Sequence, residues 1–387
     1  ELNLTWRTTL AELGLGRFEP CNSRLVSEFL PSLIAESRLI ECPPGQFQDL
    51  VTGQLNQPFH NTELPFRPFF CRENEGLLIG SAYRHWVCDS YCIRLILREW
   101  LFRLICPQRA RRQPTLLARK GYWHHFGPGP ADWPLFSTLM QQVSHSARMK
   151  SCRRVTTLSL DHTVCFREYR AETGLIDAIR ASARRRNVKV NDLFLAALAR
   201  TVDELAPIDR KPIRPNLALG TVVDLRGLRG KALGDQFGVF LGFTSTIVRP
   251  SVLRDDDRLL ASIAAQSALA RDRGLAQASQ VRMALALLYE RTLHGQKLEG
   301  FYRKRFPLAG GISNVTLHNT WAAELHPTIL REYVRASPCG PLVPLVVTPT
   351  TLGSGLHLGV TTRSALMNPA QAEQIGPRFL RELGRLV

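Results

Sequence analysis

The spacing of apolar residues predicts helices and strands that follow one another without a regular repeat. Apolar positions recur at helical spacing over Ser90–Ile105, and residues 76–80 just before them have the composition of a strand. Further helices are predicted over residues 173–186 and 191–200, and an amphipathic helix over residues 369–386. This order of elements places a strand-to-helix junction at residues 81–89.

Predicted strands are concentrated in the second half of the chain, at residues 217–227, 309–316, 329–334, 345–348 and 356–362. In the first half, residues 23–30 have helical spacing that stops at Pro31, and residues 64–70 suggest turns leading into a buried strand. Strands mixed with long helices, without strict alternation, predict an α+β fold.

Chain length and turn residues suggest two lobes. The 387 residues exceed the usual size of one hydrophobic core. Prolines and glycines interrupt residues 107–151, which we interpret as a crossing segment. We expect an N-terminal lobe over residues 1–151, including that segment, and a C-terminal lobe over residues 152–387. The adjacent His124 and His125 are expected to be exposed, because neighbouring loop side chains diverge and rarely share a metal.

Bulk composition is that of a globular protein, with 44% hydrophobic and 21% charged residues. No apolar run is long enough to predict a membrane span, and the first residues lack a signal-peptide pattern. The nine cysteines form an odd set without paired C-x-x-C spacing, which argues against a zinc or disulfide framework. Reduced thiols in a cytoplasmic protein are therefore expected.

The formal net charge of +17 is the most unusual bulk property. A basic surface attracts polyanions such as nucleic acid, anionic lipid, the phosphates of coenzyme A or an acidic carrier protein. No helix-turn-helix, zinc-finger or RNA-binding signature accompanies the charge, so specific nucleic-acid binding is not expected. An arginine-rich surface without a dedicated partner remains an alternative.

The junction at residues 81–89 carries the candidate chemistry. His85 lies in its loop, where an imidazole, which titrates near neutrality, can act as a proton acceptor. Asp89 or Ser90 can cap the following helix, so the carboxylate is expected to anchor the loop. A loop histidine beside a capping aspartate is the alternative. Cys88 is a possible nucleophile, although a buried structural thiol is favoured.

Several ordered motifs resemble those of the His-x-x-x-Asp acyltransferase superfamily, namely residues 84–90, 190–198, 223–226, 233–238 and 312–315. This group includes chloramphenicol acetyltransferase, nonribosomal peptide condensation domains, plant BAHD acyltransferases and bacterial wax ester synthases. The resemblance runs from about residue 55 onward. It implies two lobes of the chloramphenicol acetyltransferase type with an active-site tunnel between them.

The resemblance also implies residue roles. His85 would be the general base, and Asp89 would turn away from it to form a structural ion pair with Arg226. Residues expected along the tunnel are Trp86, Asp235, Gly238, Ser313 and Asn314, with Ser313 and Asn314 near the acyl oxygen. This chain departs from the family pattern at Arg84, which replaces a frequent histidine, at Ser90, which replaces a glycine, and at Asp235, which replaces an asparagine. The BAHD signature near the C-terminus is absent, which disfavours a plant-type member.

Three functional hypotheses follow. The first is an acyltransferase that moves an acyl group from a coenzyme A thioester, or from the phosphopantetheine of an acyl carrier protein, to a hydroxyl or amine of a small molecule. It would need no metal and no cofactor beyond the thioester co-substrate. The second is a condensation-like domain that joins carrier-bound substrates or only docks carriers. The third is a basic protein that binds nucleic acid or anionic membranes.

Overall fold

A computed structural model describes residues 1–21, 24–28, 31–73, 76–115, 117, 140, 143–144, 147–159, 161–227, 234–318 and 320–387. The chain forms two compact units. Unit 1 comprises Glu1–Gly129 and Asp224–Leu241, and unit 2 comprises Pro130–Val223 and Gly242–Val387. The predicted lobes, residues 1–151 and 152–387, stay a prediction. The compact units differ from them because residues 224–241 belong to the first unit and residues 130–151 to the second.

Unit 1 contains helices α1 (Leu2–Glu12), α2 (Pro31–Glu36), α3 (Phe47–Asn56) and α4 (Ser90–Ile105), and strands β1 (Arg17–Cys21), β2 (Arg24–Glu28), β3 (Ile40–Cys42), β4 (Phe66–Glu73) and β5 (Gly76–Tyr83). Strand β4 pairs in parallel with β3 and antiparallel with β5, whereas β1 and β2 form a separate antiparallel ribbon. The predicted helix over Ser90–Ile105 and the strand before it are confirmed.

Aromatic side chains fill the core of unit 1. The rings of Trp6 on α1 and Trp100 on α4 meet edge to face with centroids 4.9 Å apart, and both side chains are fully buried. The indole N–H of Trp100 donates to the hydroxyl of Thr5 at 3.2 Å. This core holds α4 in place, so the N-terminal end of α4 offers a fixed base for the preceding loop.

Unit 2 contains strands β6 (Val164–Arg170), β7 (Leu217–Asp224), β8 (Leu241–Val248), β9 (Gly310–Ile312), β10 (Val315–Thr316), β11 (Leu345–Leu352) and β12 (Gly355–Arg363), and helices α5 (Leu175–Arg185), α6 (Val190–Leu205), α7 (Asp256–Asp272), α8 (Leu275–Thr292), α9 (Gly295–Arg305), α10 (Trp321–Leu325) and α11 (Pro369–Arg385). Asp224 at the end of β7 and Leu241 at the start of β8 are the end residues of the segment that belongs to unit 1. Its mixed sheet has the order β6-β12-β11-β9-β7-β8, with β10 beside β11. The predicted α+β class is confirmed.

The two faces of this sheet differ in polarity. Leu358 and Val360 of β12 belong to the apolar core that also contains α6 and α11. On the other face, the hydroxyl of Thr348 donates to the carbonyl of Arg335 at 2.6 Å. A Cβ on Gly359 would lie 1.9 Å from that carbonyl, so only glycine allows the approach. The sheet face near Gly359 is therefore covered by a non-strand segment that contains Arg335.

Two secondary-structure predictions were wrong. Residues 329–334 form no strand, because this part of the chain leads into the segment that bonds to side chains on the sheet face instead of joining the ladder. Residues 23–30 were predicted as a helix, but Arg24–Glu28 is strand β2, for which β1 supplies the hydrogen-bonding partner. A short apolar run fits either structure, so its spacing alone does not decide between them.

Helix α11 contains Pro377, which has no N–H to offer the carbonyl of Glu373. The hydroxyl of Tyr169 on β6 donates to that carbonyl at 3.0 Å. Gly376 lets the tyrosine ring approach, since a Cβ there would lie 2.2 Å from it. Within the part of the chain that the structure describes, no helix combines the length and apolar composition needed to cross a bilayer.

Candidate active site

His85 lies on a tight turn between β5 and α4. The amide of Arg84 donates to the carbonyl of Pro65 at 2.9 Å, and the amide of Val87 donates to the carbonyl of Arg84 at 3.0 Å. His85 is half-buried and Trp86 is 42% exposed, whereas Val87 is fully buried. The turn is therefore anchored by backbone hydrogen bonds on both sides of His85, and the side chains of His85 and Trp86 stay partly exposed.

The imidazole of His85 lies near the ring of Tyr83. Its ring centroid lies 5.7 Å from that of Tyr83, at an interplanar angle of 38°. Among the described residues, none forms a hydrogen bond with the ring nitrogens of His85. A general base needs a ring nitrogen that can accept a proton, so the role of His85 as general base stays a prediction.

Asp89 is fully buried and uses both carboxylate oxygens. Oδ1 accepts from the amides of Tyr91 and Cys92 at 3.1 and 3.2 Å, which caps α4. Oδ2 accepts from the amide of Phe240 at 2.9 Å and from Nη1 of Arg226 at 2.5 Å. The carboxylate is therefore fully engaged by the start of α4 and by the 224–241 segment, and it joins the two.

Arg226 is enclosed by aromatic rings. Its guanidinium carbon lies 4.5 Å from the ring centroid of Tyr91 and 4.6 Å from that of Phe240, and the residue is 7% exposed. Burial by itself disfavours the cation, but the charges of nearby groups, above all Asp89, outweigh it and raise the pKa of Arg226. A second carboxylate, Asp224, lies 3.5 Å away. The ion pair that the resemblance implies is thus present in unit 1.

The two cysteines near this pair are not activated. Cys88 is fully buried, and burial raises the pKa of its thiol well above the usual value. Burial and the charge of Asp89 raise the pKa of Cys92 to about 12. A neutral buried thiol is a poor nucleophile, which argues against a catalytic Cys88. Cys92 instead accepts from the amide of Gly238 at 3.3 Å and so helps to hold the 224–241 segment.

Asp235 and Gly238, which were predicted along a tunnel, belong to this same network. The hydroxyl of Tyr91 donates to Oδ1 of Asp235 at 2.8 Å, and burial together with this bond raises the pKa of Tyr91 to about 12. The carbonyl of Gly238 accepts from the amide of Asp89 at 3.2 Å. Their observed contacts hold residues 234–240 against α4, and their place along a tunnel stays a prediction.

Ser313 and Asn314 lie in unit 2, between β9 and β10. The Ser313 amide donates to the carbonyl of Val347 at 3.0 Å, and its hydroxyl accepts from Nη2 of Arg335 at 2.9 Å. Oδ1 of Asn314 is buried, and none of the described residues forms a hydrogen bond with it. Their predicted role near an acyl oxygen is untested and stays a prediction, as does the contact of Trp86 with substrate.

Tyr91, Cys92 and Phe240 were not predicted as parts of the site. Tyr91 had a weak signal, because it directly follows the predicted cap of α4. The amide of Phe240 had none, since a backbone donor carries no sequence signature. Within the described ranges, no three metal-binding side chains converge. The pair His124 and His125 lies outside the described residues.

Comparisons with solved structures identify the fold. Similar structures include the EpoB cyclization-docking bidomain of a nonribosomal peptide synthetase from Sorangium cellulosum, with a TM-score of 0.65, 14% identity and coverage of 100% of this chain and 77% of that chain. A second is the condensation domain of the enacyloxin polyketide synthase, with a TM-score of 0.57, 13% identity and coverage of 100% and 74%. A third is the X-domain from teicoplanin biosynthesis in complex with OxyB, with a TM-score of 0.57, 13% identity and coverage of 99% and 84%.

No protein-family model matches this sequence, and no curated protein sequence matches it either. The chain therefore has the fold of condensation and cyclization domains, and at 13% to 14% identity the likeness concerns the fold. This confirms, at the level of fold, the resemblance to the His-x-x-x-Asp acyltransferase superfamily. The roles of individual residues rest on the geometry described above.

Proposed function

We propose that the protein is a condensation-type acyltransferase that transfers an acyl group from a carrier-bound thioester to an amine or hydroxyl acceptor, with His85 as general base. The observation that carries the proposal is the state of Asp89. Each of its two carboxylate oxygens accepts two hydrogen bonds within unit 1, Oδ1 from amides at the start of α4 and Oδ2 from Arg226 and the amide of Phe240. Asp89 thus anchors the turn, and His85, four residues earlier, remains unpaired by any described residue.

The proposed reaction needs one proton acceptor. Nε2 of His85 removes the proton from the acceptor nitrogen or oxygen while that atom attacks the thioester carbon. A C–N or C–O bond forms, the C–S bond breaks when the tetrahedral intermediate collapses, and the imidazolium returns its proton to the departing thiolate. The products are an amide or ester and a free thiol, so protons and charge balance without metal or redox chemistry in the step.

The choice of donor rests on the fold comparison. The similar structures are domains of a nonribosomal peptide synthetase and of a polyketide synthase, and these names support a carrier-bound donor over free coenzyme A. The net charge of +17 suits an acidic carrier protein, but it suits coenzyme A as well. The test therefore compares coenzyme A thioesters with carrier-bound thioesters as acyl donors.

The test supplies matched acyl thioesters on a phosphopantetheinylated carrier protein and on coenzyme A, each with amine and alcohol acceptors, and measures product by mass spectrometry. We expect product from the carrier thioester and a rate about 10²- to 10⁴-fold lower for His85→Ala. His294→Ala is the matched control, because His294 is an exposed histidine of unit 2, directly before α9, and takes no part in the contacts of the His85 turn. Product formation that His85→Ala leaves unchanged contradicts the proposal.

A second candidate function is docking without catalysis. The X-domain, whose solved structure is a complex with OxyB, shares this fold, and that observation favours a binding role. In this case a carrier or another biosynthetic protein binds the chain, and no thioester is consumed. Saturable binding together with the absence of any His85-dependent product would select docking over transfer.

A further inference from the structure

Arg84 makes contacts that no assigned role explains. Its Nη2 donates to the carbonyl of Phe59 at 2.9 Å and to Oδ1 of Asn61 at 2.9 Å. Its guanidinium carbon also lies 5.4 Å from the ring centroid of Trp86. One side chain therefore links the residues on either side of His85 to the loop that follows α3.

The loop that Arg84 contacts is itself held firmly. Nη2 of Arg67, on β4, donates to the carbonyl of Pro58 at 2.7 Å and forms an ion pair with Glu63 at 2.8 Å. The guanidinium of Arg67 lies 4.0 Å from the ring centroid of Phe59. Arg67 itself is only 9% exposed, so its guanidinium is largely buried beneath the loop. The loop is thus a fixed support against which a second arginine can brace the turn.

The backbone of Arg84 belongs to the same support. Its amide bonds to Pro65, and its carbonyl accepts the hydrogen bond from Val87 that closes the turn. Asp89 fixes the turn at its far end through α4 and the 224–241 segment. His85 therefore lies between two anchors, one built on the Asp89 carboxylate and the other on the Arg84 side chain.

We propose that Arg84 is a positioning residue that clamps the His85 turn to the loop at residues 57–61 and so fixes the direction of the imidazole. This inference rests on the proposed role of His85 as general base. Arg84 does not need to touch the reacting atoms. A displacement of about 1 Å of a catalytic group can cost on the order of 10²-fold in rate, so a clamp of this kind has a measurable effect.

Arg84→Met keeps most of the length of the side chain but loses the cation and both hydrogen bonds. We expect kcat to fall by roughly 10- to 100-fold with little change in KM, because an imidazole that points the wrong way affects the reaction more than binding. Arg84→Lys restores a cationic donor and should recover part of kcat. Arg72→Met is the matched control, because Arg72 lies on the adjacent strand β4, stacks on Phe70 and is exposed.

A second variant tests the contact itself. Asn61→Ala removes one acceptor of Arg84, so it should lower kcat, and the double variant with Arg84→Met should be no slower than Arg84→Met alone. Additive losses would show that the two residues act independently and would overturn the clamp. The clamp is also overturned if His85→Ala loses activity while Arg84→Met retains the full kcat. In that case the proposed role of His85 as general base is still supported.

Hydrogen exchange gives a readout that does not depend on activity. The amide of Val87 closes the turn, and its exchange should become about 10-fold faster or more in Arg84→Met, while it stays unchanged in Arg72→Met. Unchanged exchange at Val87 overturns the clamp even if the wild-type protein transfers no acyl group. Absence of His85-dependent transfer, with faster exchange in Arg84→Met, instead removes the proposed function and leaves the structural clamp in place.

Discussion

Replacement of Asp89 by asparagine tests the anchor on which the site depends. The amide keeps an oxygen for the amides at the start of α4, and asparagine caps a helix about as well as aspartate. The negative charge opposite Arg226 is lost, and an NH₂ group faces either the guanidinium or the amide of Phe240. The variant thus removes the charge while it preserves shape and cap.

The expected loss of stability is large because both partners are buried. Asp89 is 0% exposed and Arg226 is 7% exposed, so water cannot replace the missing carboxylate. Removal of one partner from a buried pair typically costs about 3–5 kcal/mol, and we expect a loss in this range for Asp89→Asn. Asp224, the other carboxylate near Arg226, is 47% exposed and 3.5 Å away. Asp224→Asn should therefore cost only about 0–1 kcal/mol.

Urea unfolding followed by circular dichroism and tryptophan fluorescence measures both free energies of unfolding. Addition of Arg226→Met to Asp89→Asn removes the unpaired cation, so the double variant should be no less stable than Asp89→Asn alone. A loss of stability in Asp89→Asn that is no larger than the loss in Asp224→Asn would refute this prediction. That result would mean that the buried pair does not hold the turn that carries His85.

Three further outcomes are expected. Tyr91→Phe loses the hydroxyl's hydrogen bond and should lower the free energy of unfolding by about 1 kcal/mol in urea, and an unchanged midpoint would contradict this contact. Gly376→Ala forces a Cβ to 2.2 Å from the ring of Tyr169 and should lower the free energy of unfolding by about 1–3 kcal/mol. Gly384→Ala is the control, because a Cβ there meets nothing within 4 Å, and equal urea midpoints for the two variants would refute the clash. Burial lowers the pKa of His357 in the folded protein from its usual value of 6.5. As the pH falls below 6.5, the unfolded chain therefore binds a proton on this histidine more readily than the folded chain does, and the free energy of unfolding decreases. His357→Gln should flatten that decline between pH 7 and pH 5 in urea midpoints, and an equally steep decline would rule out this histidine as its source.

The sequence predicted local structure best where one periodicity extends over many residues. Helix α4 begins at Ser90 and ends at Ile105, as its apolar spacing indicated. Helix α1 and strand β1 were not predicted, and β2 was predicted as a helix, because short segments carry few apolar positions and their partners decide their structure. The segment that contains Arg335 was not predicted either, because it forms hydrogen bonds with side chains on a sheet face. A contact of that kind produces no periodic pattern of apolar residues in the sequence.

The site was predictable only in part. Asp89 and Arg226 lie 137 residues apart, so neither periodicity nor spacing connects them, and only the family resemblance suggested that they pair. The aromatic enclosure of Arg226 by Tyr91 and Phe240 emerged from the structure alone. The same is true of the contact between Arg84 and Asn61, which joins a loop to a turn that lies 23 residues further along the chain.

The most direct test of the central claim, that His85 is the general base, is the single-turnover rate of acyl transfer from a saturating carrier-bound thioester. Wild type and His85→Ala are compared after urea unfolding has shown equal stability. The account predicts a rate about 10²- to 10⁴-fold lower for His85→Ala. Equal single-turnover rates in the two proteins would contradict it.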